Sequence, residues 1–591
     1  MKVDLAEFSP LALCAVLASV AVTVGCTGTP GVAVDPSKAA IVVTDEGDRE
    51  AAEELQRHLV LVSGRDIPIS TQAAKGAYVF SFGGPLPGAN PEAVEWTVTS
   101  SGVIFRGNAY FAVVDFLENA LGVRWPEGDL ISYNVQNPIR ISELHRAWTP
   151  ELRLRVIRAE QTNRVNQIFR RRMRTGSHDA PKYGHAFTKY WTLYGAKHPE
   201  WFAMREDGLR GPVGATPKEL AGDVAVYAAN KKNRVAICCA STGLVAQVVA
   251  NWRAEGSPAY LNICENDVVG KASCHCPDCR ALDVVPDKAD PNWEKHYADR
   301  YVHFGNAVLK LAREPRPDVK VCYYAYNATQ EAPGRERPLE GTVIGLVPTI
   351  FTDESIRSYV ESWKRAGATE FFYRPNQHHY FNCPFLPIGS EEHFYEILQY
   401  LRSHGTIGFD YDAHAAVEGG FEWFERYVLF HAMQDPSKPF SHWEDHFCSA
   451  YGAAAVDVRD YFRYWRNEVW AMRLEPNLDE IIRKGKFFNF GRGLLKNLKD
   501  YYKADDFSRA GRFLEAAKTR NLAPVHRELV DRLCVAHEHA RLFYAAVADL
   551  SKENTRKLVD FRKAHGFPLY PWYEQYFGDI AGIKRFSGVV K

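Results

Sequence analysis

Between about Glu151 and Ala413 short apolar runs alternate with helical stretches, and this alternation limits the possible folds more than any other feature of the chain. The runs are 152–158 (LRLRVIR), 183–188, 235–239 (VAICC), 259–264 (AYLNIC), 319–325 (VKVCYYA), 342–348 (TVIGLVP), 368–373 (ATEFFY) and 405–411 (GTIGFDY). Near-continuous apolar runs suit strands buried on both faces, and strands alternating with helices build a parallel sheet covered by those helices. Between the fourth and fifth runs, Tyr297, Tyr301, Phe304, Val308 and Leu311 follow the 4-3-4-3 spacing of a buried helical stripe. Eight runs predict an α/β fold, a (β/α)8 TIM-type barrel over residues 149–420, with the second run the least regular.

The flanks read differently. Residues 37–148 suggest a small α+β domain, with a strand at Ala40–Val43 and an amphipathic helix from Ala51 carrying Leu55 and Leu59 on one face. Gly64 supplies a stop, Ile67 opens another strand, and 102–107 (GVIFRG) leads into a helix carrying Val113, Phe116, Leu117 and Leu121. Residues 421–591 read as an α-helical domain, whose longest helix starts near Pro524 with Leu529, Leu533, Ala536, Ala540 and Phe543 in phase.

Residues 1–26 look like a signal peptide. Leu11 to Val24 is apolar, too short to span about 30 Å of hydrocarbon but suited to a signal-peptide core. Val24-Gly25-Cys26 has the form of a lipobox, so Cys26 is a candidate lipid carrier, although Lys2 is the only basic residue ahead of the apolar core. The expected location is therefore exported: periplasmic, a cell-surface lipoprotein, or secreted. Of the 12 cysteines, Cys14 and Cys26 fall in this leader, and the even remainder permits disulfides in an oxidising compartment.

Charge excludes little else but is informative about partners. Lys plus Arg and Asp plus Glu are each 72, which gives no support to a nucleic-acid partner. A membrane is expected only through the possible lipid anchor. No GxGxxG, Walker loop or GxSxG elbow is present, so no cofactor is expected and a serine hydrolase is not indicated. His537-Glu538-His539 is not a zinc-protease motif, because histidines two apart on a helix point to different sides.

In a barrel the C-terminal strand ends converge on one mouth. The fourth run leads into Glu265-Asn266-Asp267, the seventh contains Glu370 and continues through Tyr373 and Arg374 to His378, and the eighth ends at Asp410 and Asp412. Glycosidic cleavage needs one protonated carboxyl and either a second carboxylate or a substrate acetamido oxygen. Glu265 and Asp267 are thus candidate general acids, and Asp410, Asp412 and Glu370 candidate second carboxylates. His185, Arg374 and His378 are candidate sugar-hydroxyl partners, and Trp201, Tyr324 and Tyr373 candidate stacking rings. The cluster Cys274-His275-Cys276-Pro277-Asp278-Cys279 suits a structural disulfide or a zinc knuckle rather than a catalytic metal. It lacks an adjacent fourth ligand, which Cys264, His275 or a distant residue could supply.

Several stretches carry a resemblance. AAEELQRHLVLVSGRDIPI and VIFRGNAYFAVVDFLENALGVRWPEGD resemble the domain that precedes the barrel in α-glucuronidases and β-hexosaminidases. YGHAFTKYW, KHPEWFAMREDG, LNICENDVVGKASCHCPDC, YYAYNAT and YVLFHAMQDPSKPFSHWEDHFCSAYGAAA resemble the domain of unknown function 4838 family, which overlaps glycoside hydrolase family 163. That resemblance implies endo-β-N-acetylglucosaminidase-like action on a glycan. It matches Asp267 to the acidic residue of the family's Asn-Asp pair and Asp412 to the acid after the last barrel strand, while Glu265 occupies a variable position. The expectation is an exported glycosidase of β-linked, N-acetylhexosamine-containing glycans; the rival is a non-catalytic glycan-binding lipoprotein on the same scaffold.

Overall fold

The computed structural model describes residues 31–158, 164–212, 235–266, 273–284, 297–348, 350–376, 383, 385–412, 421–485, 489–549 and 551–567. Strands β1 (Val32–Val34) and β7 (Ile139–Ile141) form a small antiparallel pair. Beside it lies a six-stranded mixed sheet of β2 (Ala39–Val42), β3 (Ile69–Ser70), β4 (Tyr78–Phe82), β5 (Val94–Val98), β6 (Gly102–Gly107) and β8 (His145–Trp148), ordered β3-β2-β4-β6-β5-β8. Its alternating pattern leaves one face for the helices Arg49–Ser63 and Ala109–Ala120. The first of these helices closes on Gly64, whose φ of 68° is the left-handed conformation that a C-terminal cap needs. Phe116 from the second helix lies against Phe80, Trp96 and Phe105, with ring centroids 5.3–6.2 Å away.

A second sheet holds six parallel strands: β9 (Leu154–Ile157), β10 (Tyr260–Asn262), β11 (Lys320–Ala325), β12 (Thr342–Leu346), β13 (Glu370–Tyr373) and β14 (Thr406–Tyr411). The order β10-β11-β12-β13-β14-β9 curls the last strand back onto the first. All five residues of β12 are buried, as expected for a strand between a packed interior and a layer of helices. Of those helices, Thr242–Ala254 follows the third apolar run, and Ala298–Arg313, Asp353–Arg365 and Glu391–Ser403 follow β10, β12 and β13; Ser241 and Thr352 cap two of them by accepting from Leu244 N and Ser355 N.

Six of the eight apolar runs are strands; the second and third are not. The run at 183–186 touches β10 through Ala186 N to Cys264 O (2.9 Å) and Asn262 Nδ2 to Gly184 O (2.7 Å). The run at 235–238 pairs instead with 201–203, through an isolated bridge of Phe202 to Ile237 and the bond from Cys238 N to Trp201 O (2.9 Å). The fold is therefore α/β with a curled parallel half-barrel, not eight laddered strands. The interior is narrow: a Cβ at Gly345 would lie 2.4 Å from the Phe372 ring and 2.8 Å from that of Tyr324.

From Glu422 onward the chain is helical, including a π-helical stretch at Trp465–Leu474 and the long helix Pro524–Asp549, on which Leu529, Leu533, Ala536, Ala540 and Phe543 are all buried. Buried ion pairs join the parts: Arg155 to Glu92 at 2.6 Å, Arg172 to Glu54 at 2.8 Å, and Arg174 to Glu118 at 2.6 Å. Among the described residues no helix is long and apolar enough to cross a membrane.

Candidate functional site

Residues of alternating parity along each strand point into the half-barrel or out to the helices. At the N-terminal end of the interior lie Arg153, bonded to the Tyr260 hydroxyl, and Lys320, paired with Glu370 at 2.5 Å. Cys322 and Val343 are paired in the next row, Tyr324 and Phe372 face each other across Gly345, and Cys264 and Val347 follow at the strand ends. Glu370 is thus removed from the C-terminal mouth by the depth of the strand, and a lysine already neutralises it. It is not a companion acid for the other candidates.

At the C-terminal end polar groups replace this packing. Arg158, following β9, grips Asp410 of β14 through Nε (2.9 and 3.0 Å) and Nη2 (2.5 Å). Tyr183 from the second run donates its hydroxyl to the same carboxylate at 2.7 Å. Burial alone would weaken the Arg158 cation, but its bonds to Asp410 raise its pKa well above the ordinary value. Burial and the Asp410 charge both raise the Tyr183 hydroxyl, so it stays a donor. Asp412 stands two residues further on, taking a bond from Arg374 Nη2 at 3.1 Å while Arg374 Nη1 holds Asn376 at 2.6 Å. The two acids differ in access: the Asp410 side chain is 1% exposed and that of Asp412 is 27%.

The floor of this mouth is aromatic. Tyr183 packs on Phe372 at 4.6 Å, and Tyr324 lies near both rings. His185 is exposed, edge-on to Tyr324 at 6.2 Å, with Nδ1 2.7 Å from Glu265 O. The other two candidate stacking rings are elsewhere. Tyr373 has the opposite parity to Phe372 and packs, 0% exposed, against Phe409 and Tyr411 under the helices. Trp201 is stacked on His198 at 4.0 Å and lies against Tyr194, far too covered at 7% exposure to take a sugar.

Glu265 needs a correction of direction. Its Oε2 accepts from Tyr301, on the outer helix Ala298–Arg313, at 2.6 Å and from Ile237 N at 3.4 Å, while Oε1 accepts from Asn266 N at 2.7 Å. The carboxyl is therefore turned towards the outer layer beside the third run, away from Asp410, with which it shares none of these partners. Burial of that head group pushes its pKa up to about 7, against the pull of the three hydrogen bonds. Asp267 and His378 lie outside the described residues.

All ten cysteines beyond the leader are free, so of the two alternatives for the cluster the disulfide is not formed. The fourth thiol beside Cys274, Cys276 and Cys279 is Cys238, at the end of the third run, and all four sulfurs lie within 4.8 Å of one another. Neither Arg158, Tyr183 nor Cys238 was singled out by motif. The available signals were arginines inside the apolar run LRLRVIR and the paired cysteines ending VAICC.

No curated protein matches the sequence. Among solved structures, the chain is similar to a Streptomyces plicatus N-acetyl-beta-hexosaminidase in complex with Thio-NAglucal (12% identity, 72% of this chain and 92% of that one, TM-score 0.37). It is also similar to a GH138 enzyme targeting pectin rhamnogalacturonan II (10% identity, 89% and 90%, TM-score 0.43). A beta-N-acetylhexosaminidase from Bacteroides fragilis is a further relative in shape (12% identity, 67% and 86%, TM-score 0.35). Residues 125–463 match the model of the family described as Domain of unknown function (DUF4838), and the chain belongs to that family.

Proposed function

We propose that this chain is an exported glycoside hydrolase that cleaves a β-linked, N-acetylhexosamine-containing glycan. The observation that carries the reading is the C-terminal mouth itself. A partly exposed carboxylate, Asp412, stands there with Arg374, His185 and an aromatic floor, at the strand ends where barrel enzymes place their chemistry. Such a mouth offers charged hydrogen-bond partners to sugar hydroxyls and an apolar face to a pyranose.

In this reading Asp412 meets the reacting sugar, as nucleophile or as the group that orients a substrate acetamido oxygen. The general acid is Glu265 or Asp267. Glu265 keeps its proton near neutrality, which suits an acid catalyst, but its carboxyl must leave Tyr301 to deliver it. Asp410, matched by Arg158 and Tyr183, positions the mouth rather than reacting. Export rests on the apolar segment 11–24, and attachment to a membrane on Cys26. Labelling with a radioactive fatty acid, and its loss in Cys26→Ser, tests the anchor.

The deciding experiment is hydrolysis of N-glycans and aryl hexosaminides by the purified protein. Asp412→Asn should lower kcat by about 10²-fold or more, and whichever of Glu265→Gln and Asp267→Asn removes the acid should lower it by a similar factor. One observation favours the rival, a glycan-binding protein without catalysis: Asp410, the innermost acid of the mouth, is spent on an arginine and a tyrosine. Glycan binding with no turnover in any arm would establish that reading and remove ours.

A further inference from the structure

Four cysteines from two separate segments meet beside the mouth, and the assignment of the catalytic groups leaves them unused. Cys238 ends the third run; Cys274, Cys276 and Cys279 belong to the knuckle whose short helix is Pro277–Ala281. All four are buried, at 0–4% exposure. Cys238 Sγ is 3.7 Å from both Cys276 Sγ and Cys279 Sγ. A disulfide would hold two sulfurs at about 2.05 Å. Four thiolates about 2.3 Å from a tetrahedral zinc ion stand about 3.8 Å apart, which matches the separations of Cys238 from Cys276 and Cys279, and all four sulfurs lie within 4.8 Å of one another.

We propose that Cys238, Cys274, Cys276 and Cys279 bind one structural zinc ion, and that this ion closes the half-barrel where its backbone ladder is missing.

The surroundings fit a thiolate cluster. Cys276 caps the short helix, its sulfur accepting from Cys279 N at 3.4 Å, and Cys274 Sγ accepts from Met204 N at 3.3 Å. Backbone N–H groups aimed at sulfur stabilise the deprotonated ligand and fix its direction. Four thiolates and one divalent ion carry a net double negative charge, and the Arg210 guanidinium lies close enough to Cys238 to interact with it, while Arg300, also paired with Asp283 at 2.5 Å, donates to Cys274 O at 2.6 Å. An all-sulfur tetrahedral set selects a soft ion, and four protein ligands leave no open position for substrate, so the role is structural.

The site's place in the fold explains why a clamp is needed there. The third run forms no ladder with β10. Its backbone bonds to 201–203 on one side, and towards β10 it is held by side chains, with Val235 O taking Asn266 Nδ2 at 2.8 Å and Ile237 N reaching Glu265 Oε2 at 3.4 Å. Cys238 follows these bonds directly. A metal joining it to the knuckle beyond β10 would tie together the two segments that these side chains span, and would hold Ile237 against Glu265. Cys238 lies 38 residues before Cys276, well beyond the gap between the halves of a compact zinc finger, so only the folded chain assembles the set.

The test is metal analysis of the purified full-length protein. About one zinc ion per chain is expected, falling below about one fifth in Cys276→Ser, while Cys264→Ser, an interior thiol outside the set, keeps its metal. Should Cys276→Ser fail to fold, titration of the wild type with a mercurial thiol reagent in a chromophoric chelator gives the same answer. Zinc should leave as about four thiols react, and amide exchange over 235–241 and 273–281 should quicken. Zinc-free protein, iron in place of zinc, or non-reduced peptides linking any two of the four cysteines would overturn the site. Unchanged exchange at 235–241 after zinc removal would overturn its role as a clamp.

Discussion

The two six-stranded sheets differ in how they are held together. In the N-terminal sheet every strand has a laddered neighbour, and the core is a cluster of rings in which Phe116 meets Phe80, Trp96 and Phe105. In the parallel sheet the ladder stops between β9 and β10. Side chains reach the runs that lie there: Asn262 to Gly184 O, Glu265 and Asn266 to the backbone of the third run, and Tyr183 to Asp410, whose pair with Arg158 joins the laddered β9 and β14. Apolar packing tolerates any partner of the right shape, whereas a polar bridge needs a particular one. The sheet with the missing ladder is therefore the one that can present charged groups at a mouth, and it is also the more brittle of the two.

The comparison can be broken at its strongest points first. Phe116→Ala should lower the unfolding free energy by about 3–5 kcal/mol through the cavity it leaves, read by denaturant melts. A loss below about 1 kcal/mol would mean that the ring cluster does not hold the N-terminal sheet. Arg158→Met should cost about 2–3 kcal/mol, because it leaves the buried Asp410 carboxylate with the Tyr183 hydroxyl and only the weaker pull of the Arg170 charge, Arg158 itself being 37% exposed. Adding Asp410→Leu should recover more than half of that, since an apolar pair of similar volume needs no partner. A double variant as unstable as the single one would show that the bridge is not what matters there. Gly345→Ala tests the interior more gently. Its methyl would press on Phe372 and Tyr324 and should cost about 1–3 kcal/mol.

How much of this was legible in sequence depends on which interactions are local. The six laddered strands were readable because each carries its own apolar run and a following helix. The third run, VAICC, looks equally good as a strand, and nothing local to it says that 201–203 will take its hydrogen bonds instead of β10. The period of two also fixes which residues of the seventh run face the interior. Glu370, Phe372 and Arg374 share a face, so Arg374 at the strand's end places Glu370 a full strand away from the mouth, and Tyr373 must face the opposite way. The direction of Glu265 could not be read so. It follows the last laddered residue of β10, Asn262, and its orientation is set by Tyr301 and Ile237, both distant in sequence. Cys238 was invisible for the same reason: a fourth ligand dozens of residues away is identified only by the fold.

The last expected effect is read as a slope with pH, and it addresses that outward turn of Glu265. A carboxyl whose pKa is raised to about 7 in the folded chain and is near 4.5 when unfolded keeps its proton in the native state while the unfolded chain loses its own. Its contribution is thus fully favourable at or below about pH 4.5 and is lost as pH rises to about 7, a decline of about 3 kcal/mol at about 1.4 kcal/mol per pKa unit. Other groups slope in both directions: Glu391, pushed up to about 8 by burial, adds to the fall, while His58, held down to about 4 by burial, opposes it. Absolute stability therefore does not isolate Glu265, but the difference between wild type and Glu265→Gln does. The groups facing the carboxyl, Tyr301 and Cys239, remain protonated across this range because burial raises both. Glutamine keeps an acceptor for Ile237 N and Tyr301 and cannot ionise, so the variant should gain on the wild type between pH 5 and 7 and run parallel to it above. A difference that stays flat across that interval would place the carboxyl in water, and with it remove the reason for Glu265 to hold the third run in place.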